Sequence, residues 1–362
     1  MPDSATRIED LSISSPKEIL QITRSSAQKN GAIIMSSGGT TGKPKLTYTP
    51  FHQASERLMR EWHPIGPGSV VLNLFNPGRL WGAHYLIQTL AEKSKAITVP
   101  SGPYRSNEVD NWLETFQQIG VNTLAGNPTV LAEFAQGLLD TDGSLDIESI
   151  VWTGERWTET KYETVCRAFP SAGFWGVYGS VETWMIAVNS PKCDRDTLHL
   201  LADQLIEPDN DGGLLTRIGE GWTVPVVRYR LGDRIKETTC RCGRANALLI
   251  KGRVGDSISL HSALIDTGMV IELAEQEQGV EEAQLILSCE AGAPIKEVNI
   301  IRLTFTGSAN PEKVRKRVLD GIHNLASVAH MHPEFFTAQR EEQLRRVERT
   351  NKVPPVIWDI KG

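Results

Sequence analysis

The stretch SGGTTGKPK, residues 37–45, lies between two β-prone runs, residues 33–35 and 46–48. Glycines let a backbone turn sharply and bring its N–H groups close to an anion. The threonine hydroxyls add donors, and Lys43 and Lys45 add positive charge. The stretch therefore reads as a strand–loop–strand that grips the phosphates of a nucleotide, with a solvated hairpin turn as the plainer alternative. It is not an NTPase P-loop: Gly42-Lys43 is followed by Pro44, and the required glycine spacing is absent.

The bulk properties narrow the partners. The chain has 362 residues, enough for two domains, with 40% hydrophobic and 23% charged residues, as in ordinary globular proteins. A net charge of −6 argues against nucleic acid or an anionic membrane as the main partner. Asp3, Glu9 and Asp10 leave no basic flank or apolar core for a signal peptide, and no apolar run reaches membrane-spanning length. Five cysteines, an odd number, suit a reducing cytoplasm better than a disulfide framework.

Along the chain, a weakly amphipathic helix is expected after Pro16, and Thr49-Pro50 reads as the start of a helix leading to Trp62. Strand-length apolar runs at 70–75, 96–99, 121–125, 150–153 and 174–178 alternate with helical patterns near 82–92, 107–118, 128–139 and 158–168. Such alternation implies a sheet with helices on its faces and ligands at the strand ends. From Thr183 to Ile250 the pattern is strand-rich. Beyond Gly252 comes a helix near 262–278, strands near 283–289 and 297–306, a helix near 311–325 and a terminal strand. The expected fold class is α/β: a large domain of mixed sheets flanked by helices (1–252) and a small mobile α+β domain (256–362), hinged at 253–256.

Residues 37–45 resemble, position by position, the phosphate loop of the adenylate-forming superfamily, which includes acyl-CoA synthetases, peptide-synthetase adenylation domains and luciferases. The later motifs of that family follow in order. By this resemblance Ser37, Gly38, Gly39, Thr40, Thr41, Gly42 and Lys45 hold ATP, with Thr40, Thr41 and Lys45 acting on its phosphates. GVYGSVE, residues 176–182, is similar to the adenine motif: Tyr178 stacks on the base beside Gly179, and Glu182 holds Mg²⁺. The family's threonine is Val181 here, which leaves Ser180 for the α-phosphate. WTGER, residues 152–156, places Gly154 and Glu155 along the nucleotide. YRLGD, residues 229–233, offers Asp233 to both ribose hydroxyls. KGRVGD, residues 251–256, resembles the interdomain hinge, with Arg253 approaching ribose or phosphates and Gly255 where relatives carry a charged residue. Ser259, Leu260, His261 and Ser262 replace the basic residues that serve thioester formation, which leaves coenzyme A transfer open. In RTNKVPP, residues 349–355, Lys352 matches the lysine that bridges the carboxylate and the α-phosphate during adenylation; a surface lysine is the plainer reading.

Cys193, His199, Cys240 and Cys242 can supply four ligands to a structural zinc, an arrangement similar to that of the phenylacetate–CoA ligase-like branch; the alternative is free thiols and a surface histidine. His84 is a candidate gate or carboxylate contact, and Trp81, Trp152, Phe174, Trp175 and Trp184 gather by motif proximity, which favours an aryl acid. Relatives carry a longer segment before the phosphate loop, as the abbreviated antibiotic-tailoring (phenazine) adenylating proteins do not, and the shortened face suits a homodimer. The implied activity is ATP- and Mg²⁺-dependent conversion of a small, aromatic carboxylic acid to acyl-adenylate, then transfer to a thiol or amine. The alternatives are a full acyl-CoA ligase and a nucleotide-binding pseudo-enzyme.

Overall fold

The computed structural model describes residues 7–361 except 38–44, 52, 79, 210–211, 220–221, 223, 254–256, 261–262 and 291–296. Gly38, Gly39, Thr40, Thr41, Gly42, Gly255 and His261 therefore lie outside the described residues, as do the side chains of Ser37, Lys45 and Arg253.

Helix α1 (Pro16–Asn30) starts at a capping box, Ser15 Oγ accepting from Glu18 N at 3.3 Å while the Glu18 carboxylate accepts from Ser15 N at 2.6 Å. Strands β1 (Ala32–Ser37) and β2 (Lys45–Pro50) pair antiparallel, with Ser37 opposite Lys45. The helix expected from Thr49-Pro50 instead begins three residues later, as α2 (Gln53–Glu61). Thr49 and Pro50 continue the ladder opposite Ile33 and Ala32. In a two-stranded sheet both strands are edges, so a proline without an N–H is tolerated at the strand end.

The alternating run then follows the sequence pattern closely: β3 (Val70–Asn73), α3 (Ala83–Lys93), β4 (Ile97–Pro100), α4 (Asp110–Gln118), β5 (Thr123–Gly126), α5 (Pro128–Leu139), β6 (Ser149–Thr153), α6 (Glu159–Ala168) and β7 (Gly173–Ser180). β8 (Trp184–Val188), β9 (Leu198–Leu200), β10 (Gln204–Glu207), β11 (Leu214–Arg217), β12 (Tyr229–Arg230), β13 (Asp233–Thr238) and β14 (Ala247–Arg253) make up the strand-rich segment. The nine-stranded sheet has the order β13-β14-β9-β8-β7-β6-β5-β3-β4. β4 through β7 are parallel neighbours, and β8 reverses direction against β7. Pleating divides the core: Leu72, Leu124, Ile150 and Trp152 pack under α4–α6, while Val71, Ala125, Val151 and Val177 pack with Leu58 and Ile87 of α2 and α3.

After residue 256 come β15 (Ser257–Leu260), β16 (Ala263–Asp266), α7 (Thr267–Glu275), β17 (Val280–Glu290), β18 (Glu297–Val298), β19 (Ile300–Gly307), α8 (Pro311–Gly321), α9 (His323–Met331), β20 (Phe336–Arg340) and β21 (Val356–Lys361). The helix expected over 262–278 is shorter because a β15–β16 hairpin occupies its first part and Asp266 caps α7, accepting from Met269 N at 3.1 Å. The helix expected over 311–325 is split in two. Gly321 packs against Leu273, and Ile322 leaves the helical conformation (φ −128°, ψ 93°) to enter the core. This C-terminal lobe has its own apolar cluster, residues 258–336, centred on Leu285, Leu303, Phe305 and Phe336. The overall class is thus α/β with mixed sheets flanked by helices, as expected. Among the described residues no helix is long and apolar enough to cross a membrane.

Because Phe305 is fully buried, Phe305→Ala should remove about 3–5 kcal/mol from the stability of the C-terminal lobe. Urea denaturation measures it, and a loss under about 1 kcal/mol would contradict this packing.

Candidate active site

The carboxyl ends of β3, β5, β6 and β7 gather most of the residues singled out from the sequence. At the end of β6 Gly154 has φ +89°, a conformation that favours glycine, and a Cβ there would collide with Lys352 Nζ. Lys352 comes from the loop between β20 and β21; its Nζ donates to Gly154 O at 2.8 Å and lies 5.3 Å from the centre of the Trp81 ring. A lysine near the carboxyl end of the chain thus meets the first half of it. Burial pushes the Lys352 pKa below the ordinary lysine range; the Glu155 charge opposes this shift and Arg349 adds to it.

Glu155 is held by protein groups on both sides of its carboxylate. Its side chain is 8% exposed, and its carboxylate accepts from Thr129 N (3.0 Å), Thr129 Oγ1 (2.6 Å) and Val353 N (2.9 Å). The carboxylate sits on the amino end of α5, where free N–H groups and the helix dipole favour an anion. It therefore holds protein groups, one of them next to Lys352. Asn127 acts in the same way: its Oδ1 caps α5 through Val130 N at 3.1 Å while its Nδ2 donates to Thr350 O at 3.1 Å.

Tyr178 and Asp233, far apart in sequence, meet here, with Tyr178 Oη donating to Asp233 Oδ2 at 2.6 Å. Asp233 opens β13 and stands opposite Arg253 of β14, so the ladder brings that motif to the same edge. Ser180 is used in the turn after β7: its Oγ accepts from Thr183 N at 3.0 Å and lies 2.8 Å from Thr183 Oγ1. Glu182 occupies that turn half-buried, and at Gly179 a Cβ would run into Trp184 O. Arg217 supports the turn from beneath, donating to Thr183 O and to Met185 O (3.3 Å). Desolvation pushes its pKa down to about 9, and sequence reading missed it; it is the last residue of β11, a strand buried throughout.

His84 is buried in the first turn of α3, with Nδ1 2.9 Å from Phe75 O and its own carbonyl accepting from Asn73 Nδ2 at 3.1 Å. These bonds make it a fixture of the wall beside Trp81, leaving only Nε2 for any other contact. The stem of the β1–β2 hairpin, Ser37 opposite Lys45, reaches the same region through Ser36, whose O accepts from Arg349 Nη1 at 3.3 Å.

A second cluster lies at the other end of β8. The ligand atoms of Cys193, His199, Cys240 and Cys242 all fall within 4.8 Å of one another. Cys193 Sγ and Cys242 Sγ are 3.7 Å apart, and His199 Nε2 is 3.2 Å from Cys242 Sγ. Tetrahedral zinc with sulfur at about 2.3 Å needs sulfurs about 3.8 Å apart. Outer contacts also fit: His199 Nδ1 is 3.0 Å from Ala245 O, and Asp194 N donates to Cys240 Sγ at 3.3 Å.

Gly154→Ala adds a methyl group at a left-handed position and against Lys352 Nζ, so we expect a loss of about 1–3 kcal/mol in a denaturant titration. Wild-type stability in this variant would mean that the cleft does not close as described.

Comparison with known proteins identifies the family and the fold. The model of the AMP-binding enzyme family matches residues 3–253. Indoleacetate–lysine synthetase of Pseudomonas savastanoi is 25% identical over 212 residues, 57% of this chain and 53% of that protein, so the match spans about half the length of this curated relative. Among solved structures, 2-hydroxyisobutyryl-CoA ligase in the postadenylation state with 2-HIB-AMP has a TM-score of 0.63 at 15% identity, covering 96% of this chain and 80% of that one. The anthranilate CoA ligase AuaEII in complex with anthranoyl-AMP has a TM-score of 0.59 at 12% identity, covering 88% and 65%. At such identities the structures establish the shared fold, and the family match over residues 3–253 establishes membership. The chain belongs to the AMP-binding enzyme family.

Proposed function

We propose that this protein is an adenylate-forming ligase that activates an aryl carboxylic acid with ATP and passes the acyl group to an amine or thiol. One observation carries the reading: Lys352 Nζ is held at the end of β6, on Gly154 O and over Trp81, on the strand-end side of the sheet where Tyr178 meets Asp233. An ammonium there is suited to bridge the substrate carboxylate and the α-phosphate. In that role its point charge stabilises the crowded phosphorus centre as a carboxylate oxygen bonds to it and pyrophosphate departs. Tyr178 would cover the adenine and Asp233 would accept the ribose hydroxyls. Glu182, a half-buried carboxylate at a turn, would hold Mg²⁺, which supplies charge neutralisation to the phosphates. Ser180 would reach the α-phosphate only by giving up its bonds to Thr183.

Residues 253–256 would act as the hinge between a large domain (1–252) and a small one (256–362), whose rotation withdraws Lys352 after adenylation and admits the acceptor. Of the acceptors, an amine is favoured. The relative named for indoleacetate and lysine supports this choice, and by the resemblance of residues 251–262 to the family's hinge segment, Ser259 and Leu260 replace residues that serve thioester formation. The anthranilate ligase complex is a neighbour that handles an aryl acid. Zinc in the Cys193–His199–Cys240–Cys242 cluster would pin the β8–β9 connection to the Cys240–Cys242 loop, a role that requires reduced thiols and fits the cytoplasm and the phenylacetate–CoA ligase-like branch.

The test is ATP–pyrophosphate exchange across a panel of aryl acids. Exchange with at least one acid is expected, falling about a hundredfold or more in Lys352→Ala; ATP binding without any exchange would leave a pseudo-enzyme. Mass spectrometry with amines and with coenzyme A then identifies the acceptor, and a thioester as main product would replace the amine reading. Because free Lys352 loses its proton at lower pH than other lysines, the alkaline limb of kcat/KM should fall below the ordinary lysine value of about 10.4. A limb at or above that value would remove Lys352 from the essential groups. Protein purified without chelator should carry stoichiometric zinc, lost in Cys242→Ser; a folded, metal-free wild type would end the zinc assignment.

A further inference from the structure

The segment carrying Lys352 is fastened to the large lobe at successive residues. Asn76 Nδ2 donates to Arg349 O at 3.1 Å, Asn127 Nδ2 to Thr350 O at 3.1 Å, Lys352 Nζ to Gly154 O at 2.8 Å, and Val353 N to Glu155 Oε1 at 2.9 Å. Arg349 is therefore anchored through its backbone carbonyl. Its side chain reaches the other way, to Ser36 O at 3.3 Å, one residue before the phosphate-loop stretch begins. Two cations from the C-terminal lobe thus enter the cleft at different points: Lys352 at the end of β6 and Arg349 at the stem of the β1–β2 hairpin. Both are desolvated; at Lys352 the Glu155 charge opposes the effect of burial and the Arg349 charge adds to it. Two cations that enter one cleft at separate points suit a polyanion whose groups reach both.

We infer that Arg349 binds the β- and γ-phosphates of ATP, and so the pyrophosphate leaving group, from the small lobe. This rests on the adenylation reading above. In the reaction one carboxylate oxygen bonds to the α-phosphorus and the bond from that phosphorus to the bridging oxygen of the β-phosphate breaks. The electron pair stays with pyrophosphate, whose negative charge grows by one as the bond opens. A guanidinium keeps its charge throughout and presents paired donors to phosphate oxygens, so its hold tightens as that charge develops. Lys352 then serves the bond that forms and Arg349 the group that leaves.

The test compares ATP, AMP and pyrophosphate binding to the full-length chain with Mg²⁺, by calorimetry. Wild type should bind ATP more tightly than AMP, and pyrophosphate should compete with ATP. In Arg349→Ala ATP affinity should fall about tenfold with AMP affinity unchanged, pyrophosphate competition should be lost, and Arg349→Lys should restore part of both. In wild type, pyrophosphate and ATP, but not AMP, should protect Arg349 from an arginine-specific dicarbonyl reagent, read by peptide mass spectrometry. This arm does not depend on any variant folding. Unaltered ATP-over-AMP preference in Arg349→Ala, or equal protection by AMP and ATP, overturns the inference. A wild-type chain that binds neither nucleotide overturns the adenylation reading itself, an outcome distinct from an Arg349 variant that leaves nucleotide preference intact.

Discussion

The bond from Lys352 Nζ to Gly154 O is the constraint on which the rest of the cleft depends. It joins the end of a central strand to a loop almost two hundred residues later, and it holds a charged amine where burial disfavours charge. Such an arrangement persists only if its surroundings determine it. Gly154 supplies the room, Trp81 an aromatic face, and Glu155 a nearby negative charge that also binds Val353 N. Asn127 and Glu155 each serve two tasks, completing the amino end of α5 and holding the C-terminal loop. Local helix chemistry and long-range docking thus share the same atoms.

The sheet explains why the cleft lies at this edge. From β4 to β7 all neighbours are parallel, so their carboxyl ends open on one side, and β8 turns back against β7. The turn after β7 falls on that side, and its shape is secured by Ser180, Thr183 and the buried Arg217 beneath them. Asp233 and Arg253 arrive from the far edge of the sheet because β13 and β14 join it beyond β9.

Contact between the lobes is largely polar. Lys161 meets Glu282 at 2.6 Å, Arg156 pairs with Glu275, and Arg346 pairs with Glu133. Burial pushes the Glu282 pKa up while Lys161 opposes the shift, so desolvation offsets part of what the pair contributes. The apolar residues of the C-terminal lobe are spent inside its own cluster. The two lobes are therefore joined by ion pairs and side-chain-to-backbone bonds rather than by a shared apolar core.

Short-range pattern was enough for much of this molecule. The parallel strands and their helices follow from alternating apolar periods, and the hairpin flanking residues 38–44 follows from two β-prone runs around a glycine-rich stretch. Thr49-Pro50 misled because a proline signals a helix start and a strand end equally well, and only pairing with Ile33 and Ala32 decides between them. Ile322 likewise carries no local sign that it leaves the helix; the apolar cluster it enters is assembled from distant strands. The motifs pointed to Tyr178, Asp233 and Lys352, because residue type and neighbours along the chain are what a sequence displays. What they touch was settled by tertiary structure alone. Glu155 turned to Thr129 and Val353, Ser180 to Thr183, and Arg349 to Ser36, since a side chain's partner depends on which strand ends converge, and convergence is a property of the packed sheet, not of any stretch within it.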